Sequence, residues 1–223
     1  MSNVAANLEE LYAEVPPQVS LVAVSKFHPS EMIREAYAVG QRKFGESRVQ
    51  ELLKKIEELP HDIEWHFIGH LQTNKVRSII GKCALIESID SEHLLEYIDK
   101  ESEKAGVITK ILMQVHVAQE ETKFGFAPDE LIGYFKAHRF ENLKATHICG
   151  IMGMASNTDD EERIRADFRA IAEVYRQIKE DDSLQLRGFD TLSMGMSGDW
   201  PIAVEEGSNL IRVGSRIFGE RLY

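Results

Sequence analysis

Eight short apolar stretches, each separated from the next by a helical pattern, are the feature that most restricts the fold of this chain. The predicted strands are residues 20–26, 43–46, 64–69, 84–89, 109–117, 144–152, 189–194 and 210–215. In the first of them, residues 21–24 form a continuous apolar run, which is typical of a strand buried on both faces of a parallel sheet. A further helical pattern precedes this strand, at residues 3–15.

This alternation predicts one α/β domain over residues 1–223, a (β/α)8 TIM barrel with an extra N-terminal helix. Right-handed βαβ units in that number close most simply into a barrel. An open doubly wound sheet is the alternative, but no GxGxxG motif follows the first strand, and no linker rich in Pro, Gly or Ser divides the chain. Because the active site of a TIM barrel lies at the carboxyl ends of its strands, we look for chemistry there.

The charge and composition exclude several kinds of partner. The net charge is -11, with no local run of Lys or Arg, so we expect no nucleic-acid partner. No apolar run approaches the ~20 residues of a membrane span, and the acidic N-terminus is unlike a secretory signal. Cys83 and Cys149 lack CxxC spacing, and we interpret them as reduced core thiols. The eight histidines show no HxH or HExxH spacing, so no metal site is indicated. We expect a cytoplasmic monomer without a membrane partner or a metal.

Lys26 lies at the carboxyl end of the first predicted strand and has two interpretations. In one, its aliphatic stem covers apolar surface and its ammonium group stays in water. In the other, it is desolvated at the mouth of the barrel, which lowers its pKa and frees the amine to form a Schiff base. One residue cannot decide between these interpretations, so the other strand ends must.

The last two strands end in loops of small residues, DTLSMGMSGDW and IRVGSRIFGE. Backbone N–H groups and hydroxyls can hold a phosphate there, and the loops after strands seven and eight are the usual phosphate site of this architecture. Each cluster alone also fits a tight turn. Together with Lys26 on the opposite side, the two loops favour a ligand with both a phosphate and a carbonyl. Pyridoxal 5′-phosphate (PLP) is such a ligand.

Five motifs together resemble the pyridoxal phosphate homeostasis protein family: AVSKFHP, FGESRVQE, WHFIGHLQTNK, LSMGMSGDW and IRVGSRIFGERLY. The resemblance covers essentially the whole chain. It implies a fold similar to the N-terminal barrel of alanine racemase and of bacterial ornithine decarboxylase-like enzymes. It also implies that Lys26 holds the cofactor as an internal aldimine and that Ser197, Gly214 and Ser215 bind its phosphate.

The resemblance further implies that Arg212 points toward the pyridine nitrogen of the cofactor. A guanidinium stays protonated and does not readily give that nitrogen a proton, so the ring would be a weaker electron sink. The alternative for Arg212 is an ion-paired or snorkelled side chain. Asn74 lies in a motif that the family places beside the cofactor, although Thr73 and Asn74 can equally cap a short helix.

Two further positions are ambiguous in the sequence. His66 alternates with Trp65 and Phe67, and we interpret it as a core histidine before a general base, because no carboxylate partner is evident. Ser47-Arg48 stands where the family usually has Asn-Tyr. Ser47 can still donate one hydrogen bond to the cofactor, but the second donor of an amide is missing.

These observations predict a PLP-binding protein that buffers the cofactor and delivers it to apo PLP-dependent enzymes, without robust turnover. The related racemase uses a second, β-rich domain that supplies a catalytic tyrosine, and we expect no such domain here. One alternative is an amino-acid racemase that uses the barrel alone. Another is a class I aldolase with Lys26 as its Schiff-base lysine, which is the weakest hypothesis because those aldolases usually carry the lysine on a later strand.

Overall fold

Eight parallel strands pair in chain order, and the first strand closes the ring against the last. The computed structural model describes residues 3–117 and 124–219. The strands are β1 (Ser20–Val24), β2 (Lys43–Glu46), β3 (Glu64–Phe67), β4 (Leu85–Ile89), β5 (Thr109–Val115), β6 (Thr146–Gly153), β7 (Thr191–Ser193) and β8 (Leu210–Val213). The predicted (β/α)8 barrel is therefore confirmed. The ends of the predicted domain 1–223, including residues 220–223 of the last motif, lie outside the described residues.

Helices cover the outside of the barrel. In the described ranges they are α1 (Val4–Glu14), α2 (Ser30–Ala38), α3 (Val49–Glu58), α4 (Val76–Ile79), α5 (Glu92–Ala105), α6 (Pro128–Lys136), α7 (Glu161–Lys179), α8 (Trp200–Glu205) and α9 (Ser215–Phe218). The extra N-terminal helix is α1, and α2 to α8 connect successive strands, as predicted. The short helix α9, directly after β8, was not predicted. Across the ranges described, no helix is long and apolar enough to cross a membrane.

Two hydrophobic layers result from the alternation of side chains along each strand. A small cluster fills the inside of the barrel: Val22, Leu85, Leu112, Met152 and Leu210. The intervening strand residues, such as Ala23 and Phe44, face outward and join the larger core beneath the helices. The inside of the ring is thus a packed core, as in other TIM barrels, and a ligand can enter only above it.

The observed strand ends differ from the predicted ones by up to two residues. β1 ends at Val24, and the chain then turns, because the N–H of His28 donates to the carbonyl of Ser25 at 3.1 Å. Lys26 therefore lies in a turn rather than in the strand itself. β8 ends at Val213 because Ser215 already begins α9.

Candidate ligand site at the barrel mouth

A cavity of about 280 Å³ opens at the carboxyl ends of the strands. It is lined by Val24, Lys26, His28, Ile68, Met152, Met154, Met196, Ser197, Gly198, Arg212, Gly214, Ser215 and Gly219. The structure thus brings together five of the seven predicted site residues: Lys26, Ser197, Arg212, Gly214 and Ser215. It puts them at the end of the barrel where TIM-barrel active sites form.

The other two predicted residues do not line this cavity. Ser47 is half-buried just after β2, and Asn74 is exposed in a single 3-10 turn over Thr73–Lys75. Neither Thr73 nor Asn74 makes a side-chain cap at the start of that turn or of α4. The predicted cofactor contacts of Ser47 and Asn74 stay predictions.

The turn that carries Lys26 is fixed from outside the barrel by a buried ion-pair network. Lys55, on α3, donates to the carbonyl of Ser25 (2.9 Å), to Glu46 Oε1 (2.8 Å) and to Glu51 Oε1 (2.7 Å). Ser25 Oγ donates to the same Glu46 oxygen at 2.6 Å. Glu46 is 0% exposed and Lys55 is 4% exposed. Burial raises the pKa of Glu46, and Lys55 and Ser25 only partly oppose that shift.

Phe27, next to Lys26, adopts an unusual backbone conformation that two contacts stabilise. Its φ is 68°, in the left-handed region that non-glycine residues rarely occupy. Its N–H donates to Glu51 Oε1 at 2.7 Å, and the guanidinium of Arg48 lies 4.5 Å from the centre of its ring. Arg48, at the position where the family usually has Tyr, thus contributes to the conformation of the Lys26 turn.

Glycines shape the part of the cavity after β7 and β8, which lies beside the Lys26 turn and not opposite it as predicted, because β8 pairs with β1. Gly195 has φ +94°, and a Cβ there would lie 2.7 Å from the Cβ of Ala203. A Cβ on Gly214 would lie 3.2 Å from the carbonyl oxygen of Val24, because the β8 loop passes close to β1. The Gly214 N–H donates to Ser197 Oγ at 3.1 Å, which joins the two loops. Small residues in the two loops thus bring the hydroxyl-bearing residues Ser197 and Ser215 to the lining of the cavity.

Arg212 enters the floor of the cavity from β8 and is only 4% exposed. One of its terminal nitrogens, Nη2, donates to the carbonyl of Gly153 at 3.0 Å, and the other, Nη1, donates to Ser193 Oγ. Nη1 also lies 3.7 Å from Glu87 Oε2. Burial lowers the pKa of Arg212, while the carboxylates of Glu87 and Asp199 oppose this shift. The ion-paired interpretation of Arg212 and its position at the cavity therefore both hold.

His66 has a buried carboxylate partner, which corrects the expectation that it has none. Its Nδ1 lies 2.6 Å from Oε1 of Glu87, which is 0% exposed on β4. The partner was not evident because it lies on the neighbouring strand, 21 positions along the chain. Burial acts to raise the pKa of Glu87, but His66, Arg212 and Ser193 outweigh it, so this pKa lies below its ordinary value.

Several lining residues were not predicted from the sequence. Ile68, Met152 and Met154 supply apolar surface, and His28, which is 8% exposed, stacks on Phe218 with 5.1 Å between ring centres. The signal for His28 was its place in the AVSKFHP motif, two residues after Lys26. Across residues 3–117 and 124–219, no group of three His, Cys, Asp or Glu side chains could hold a metal.

The family model described as "Alanine racemase, N-terminal domain" matches residues 1–222. A pyridoxal phosphate homeostasis protein from Aquifex aeolicus is 40% identical over 205 residues, which cover 91% of this chain and 87% of the relative. Another from Synechocystis is 37% identical and covers 96% of both chains. PipY from Synechococcus elongatus, solved with PLP bound, is 38% identical, with a TM-score of 0.88 over 97% of this chain and 100% of PipY.

The fold extends to more distant proteins. Alanine racemase from Clostridium difficile shares 12% identity, and its TM-score is 0.79 over 98% of this chain and 56% of the racemase. The fold and the family-model match thus define a protein of the class built like the N-terminal domain of alanine racemase. Within that class, the chain belongs to the pyridoxal phosphate homeostasis protein family.

Proposed function

We propose that this protein binds PLP through a Schiff base to Lys26 and serves intracellular PLP homeostasis by holding and delivering the cofactor. The observation that carries the proposal is the single cavity that Lys26, Arg212, Ser197, Gly214 and Ser215 line together. The PLP-bound structure of PipY, 38% identical, supports the choice of ligand.

Lys26 supplies the amine for covalent attachment. Its Nζ attacks the aldehyde carbon, the carbonyl oxygen leaves as water, and a C=N bond replaces C=O. The reaction is reversible by water, so covalent holding is compatible with release. The buried network around Lys55 fixes the Lys26 turn before the ligand arrives, which reduces the ordering that binding must bring about.

The other cavity residues match the remaining parts of PLP. Ser197, Ser215 and the backbone around Gly214 can hold the phosphate, since hydroxyl and N–H donors suit its oxygens. The apolar surface of Ile68, Met152 and Met154 suits the faces of the ring. Arg212 can donate an N–H to the ring nitrogen. PLP supplies an electron-accepting ring when it is bound, and a guanidinium at that nitrogen leaves this capacity weak.

A weak electron sink does not by itself prevent racemisation, but it makes turnover depend on well-placed bases, and with Lys26 alone we expect turnover to be slow. Proton transfer at an α-carbon gains ~10²–10⁴-fold from each positioned acid or base. A neutral ring nitrogen also gives little stabilisation to the resulting carbanion. We therefore propose slow or negligible amino-acid turnover and transfer of PLP to apo PLP-dependent enzymes. Cys83 and Cys149 are free thiols, which favours the cytoplasm as the site of action. The monomeric state stays a prediction.

The test measures both the covalent attachment of PLP to Lys26 and the transfer of PLP to another protein. Borohydride reduction of PLP-loaded protein should fix a pyridoxyl group on Lys26, found by peptide mass spectrometry, and Lys26→Ala should lose the visible absorbance band. The loaded protein should then reactivate an apo PLP enzyme in the presence of a trap for free aldehyde. In parallel, a panel of L-amino acids is followed for racemisation and keto-acid formation.

The outcomes separate the hypotheses. An unchanged spectrum in Lys26→Ala contradicts the Schiff-base assignment. Turnover of one amino acid at ~1 per second or faster, the range of ordinary enzymes, would replace the carrier by the barrel-only racemase. Reactivation that the aldehyde trap abolishes would mean that PLP is simply released, without delivery to a recipient.

A further inference from the structure

A chain of four buried polar side chains crosses the inside of the barrel below the cavity. It runs from His66 on β3 through Glu87 on β4 and Ser193 on β7 to Arg212 on β8. Ser193 Oγ donates to Glu87 Oε2 at 2.6 Å, from the opposite side of the ring. All four residues are at most 4% exposed. An apolar cluster fills the rest of the barrel interior, so four linked polar side chains in that interior require an explanation.

The chemistry of these groups fixes the direction of each hydrogen bond. Ser193 donates to Glu87 and the Arg212 guanidinium lies 3.7 Å from it, and the pKa of Glu87 is lowered, so we take Glu87 as a carboxylate that accepts from His66 Nδ1. Ser193 has one hydroxyl proton, which it gives to Glu87, and its oxygen accepts from Arg212 Nη1. The two carboxylate oxygens of Glu87 are thus held on opposite sides, one by His66 and one by Ser193.

Glu87 therefore orients a guanidinium that has capacity left for a ligand. The bonds to Ser193 and Gly153 use two of the five N–H donors of Arg212. An arginine without such an anchor has many rotamers, and ordering it costs free energy when a ligand binds.

We infer that Glu87 is a positioning residue that, through Ser193, aims Arg212 at the ring nitrogen of the ligand. This inference rests on the proposed function, because it concerns the same cavity and the same ligand. In this role Glu87 supplies the counter-charge for Arg212, and the hydrogen bonds through Ser193 fix its orientation. Together they make Arg212 selective for an aromatic ring with an unprotonated nitrogen.

The test compares PLP with an analogue whose ring nitrogen is replaced by C–H, with the aldehyde and phosphate unchanged. Wild-type protein should prefer PLP by roughly tenfold to a hundredfold, the value of one hydrogen bond from a charged donor. Equilibrium dissociation constants for both ligands are measured on wild type, Glu87→Gln and Ser193→Ala. In both variants the ratio of the two constants should fall toward one, even where absolute affinities also change. Arg212→Leu sets the ratio expected when the donor is lost.

Asp99→Asn is the matched control. Asp99 is also a buried carboxylate, 8% exposed, but it accepts from the backbone of Lys144 and Ala145 at the other end of β6. Its variant should keep the wild-type ratio, and a comparable loss there would overturn the inference. A folded Glu87→Gln variant that keeps the wild-type ratio of dissociation constants would also overturn the inference. If Glu87→Gln does not fold, an unchanged ratio in Ser193→Ala has the same meaning.

The binding measurements, together with the labelling of Lys26, distinguish a failure of this inference from a failure of the proposed function. Wild-type protein that binds both ligands equally and is still labelled on Lys26 overturns the role of Glu87 and leaves the proposed function standing. Wild-type protein that neither binds PLP nor is labelled on Lys26 overturns the proposed function, and this inference with it.

Discussion

Replacing Lys55 with methionine should destabilise the protein strongly, even though Lys55 does not line the cavity. The substitution keeps a long apolar side chain but removes a buried ammonium that makes three hydrogen bonds of 2.7–2.9 Å. It leaves Glu46 buried and without its counter-charge. Glu46 Oε2 has no hydrogen-bond partner among the described residues, so the carboxylate has little other support.

The size of the effect follows from the burial of the pair. Removing one partner of a buried ion pair costs about 3–5 kcal/mol. For a chain of this length, 1 kcal/mol corresponds to a change in melting temperature of about 2–4 °C, so Lys55→Met should melt ~6–20 °C below wild type. Lys54→Met is the matched control. Its side chain is 75% exposed and pairs with Glu58 only at 3.7 Å, and its loss should cost less than ~1 kcal/mol.

The loss of folding stability in Lys55→Met should also depend on pH in a defined direction. Burial already raises the pKa of Glu46, and removing Lys55 raises it further, so the variant's folded state gains a proton that the unfolded state lacks. The deficit relative to wild type should therefore be largest at neutral pH. It should shrink as the pH falls through the raised pKa. Adding Glu46→Gln to Lys55→Met should recover part of the stability at pH 7.

Fluorescence of Trp65 and Trp200, both buried, reports thermal and urea unfolding of these variants. The reasoning is refuted if Lys55→Met is no less stable than Lys54→Met at pH 7. A deficit that grows as the pH falls would equally contradict it.

Two further predictions concern the loops that are proposed to hold the phosphate and a helix cap. Ser197→Ala and Ser215→Ala should each weaken PLP binding by ~1.5–3 kcal/mol and barely change the binding of unphosphorylated pyridoxal, as measured by fluorescence titration. Equal losses for both ligands would show that the hydroxyls do not contact phosphate. Asp160→Ala should cost ~0.5–2 kcal/mol in urea unfolding, because Asp160 accepts from the N–H groups of Glu162 and Arg163 at the start of α7. A loss no larger than that of Asp159→Ala would argue against this cap.

The architecture could be predicted because its signal is local. Most of the strands contain a short apolar run, and eight extended segments separated by helices leave few topologies. The predicted ends of the strands were less accurate, since the observed ends depend on turns such as the one at Ser25–His28 rather than on hydrophobicity. Five of the seven predicted site residues share one cavity because the carboxyl ends of parallel strands meet at one end of a barrel.

The buried ionic networks could not be predicted in the same way. Glu46 and Lys55 meet through the packing of α3 on β2, and Glu87 and Ser193 meet across the inside of the ring. Such pairs depend on register and on the diameter of the barrel, which no short window of sequence contains. Glu87 did carry one signal, since it is the one charged residue in the segment ALIESI, residues 84–89. A charge at an inward position of a buried strand predicts a partner without identifying it.

The pairing of β1 with β8 has a consequence for how the protein is made. Lys26 follows the first strand, whereas Ser197, Gly214 and Ser215 follow the last two, so the ribosome makes the lysine part of the cavity long before the other part. Contacts between such distant segments form late in folding, because closing a long loop is entropically costly. A partly synthesised chain therefore has Lys26 but not the loops that are proposed to hold the phosphate. A ligand that contacts both parts favours the closed ring over open intermediates, so under the proposed function added PLP should raise the fraction of newly made protein that completes its barrel.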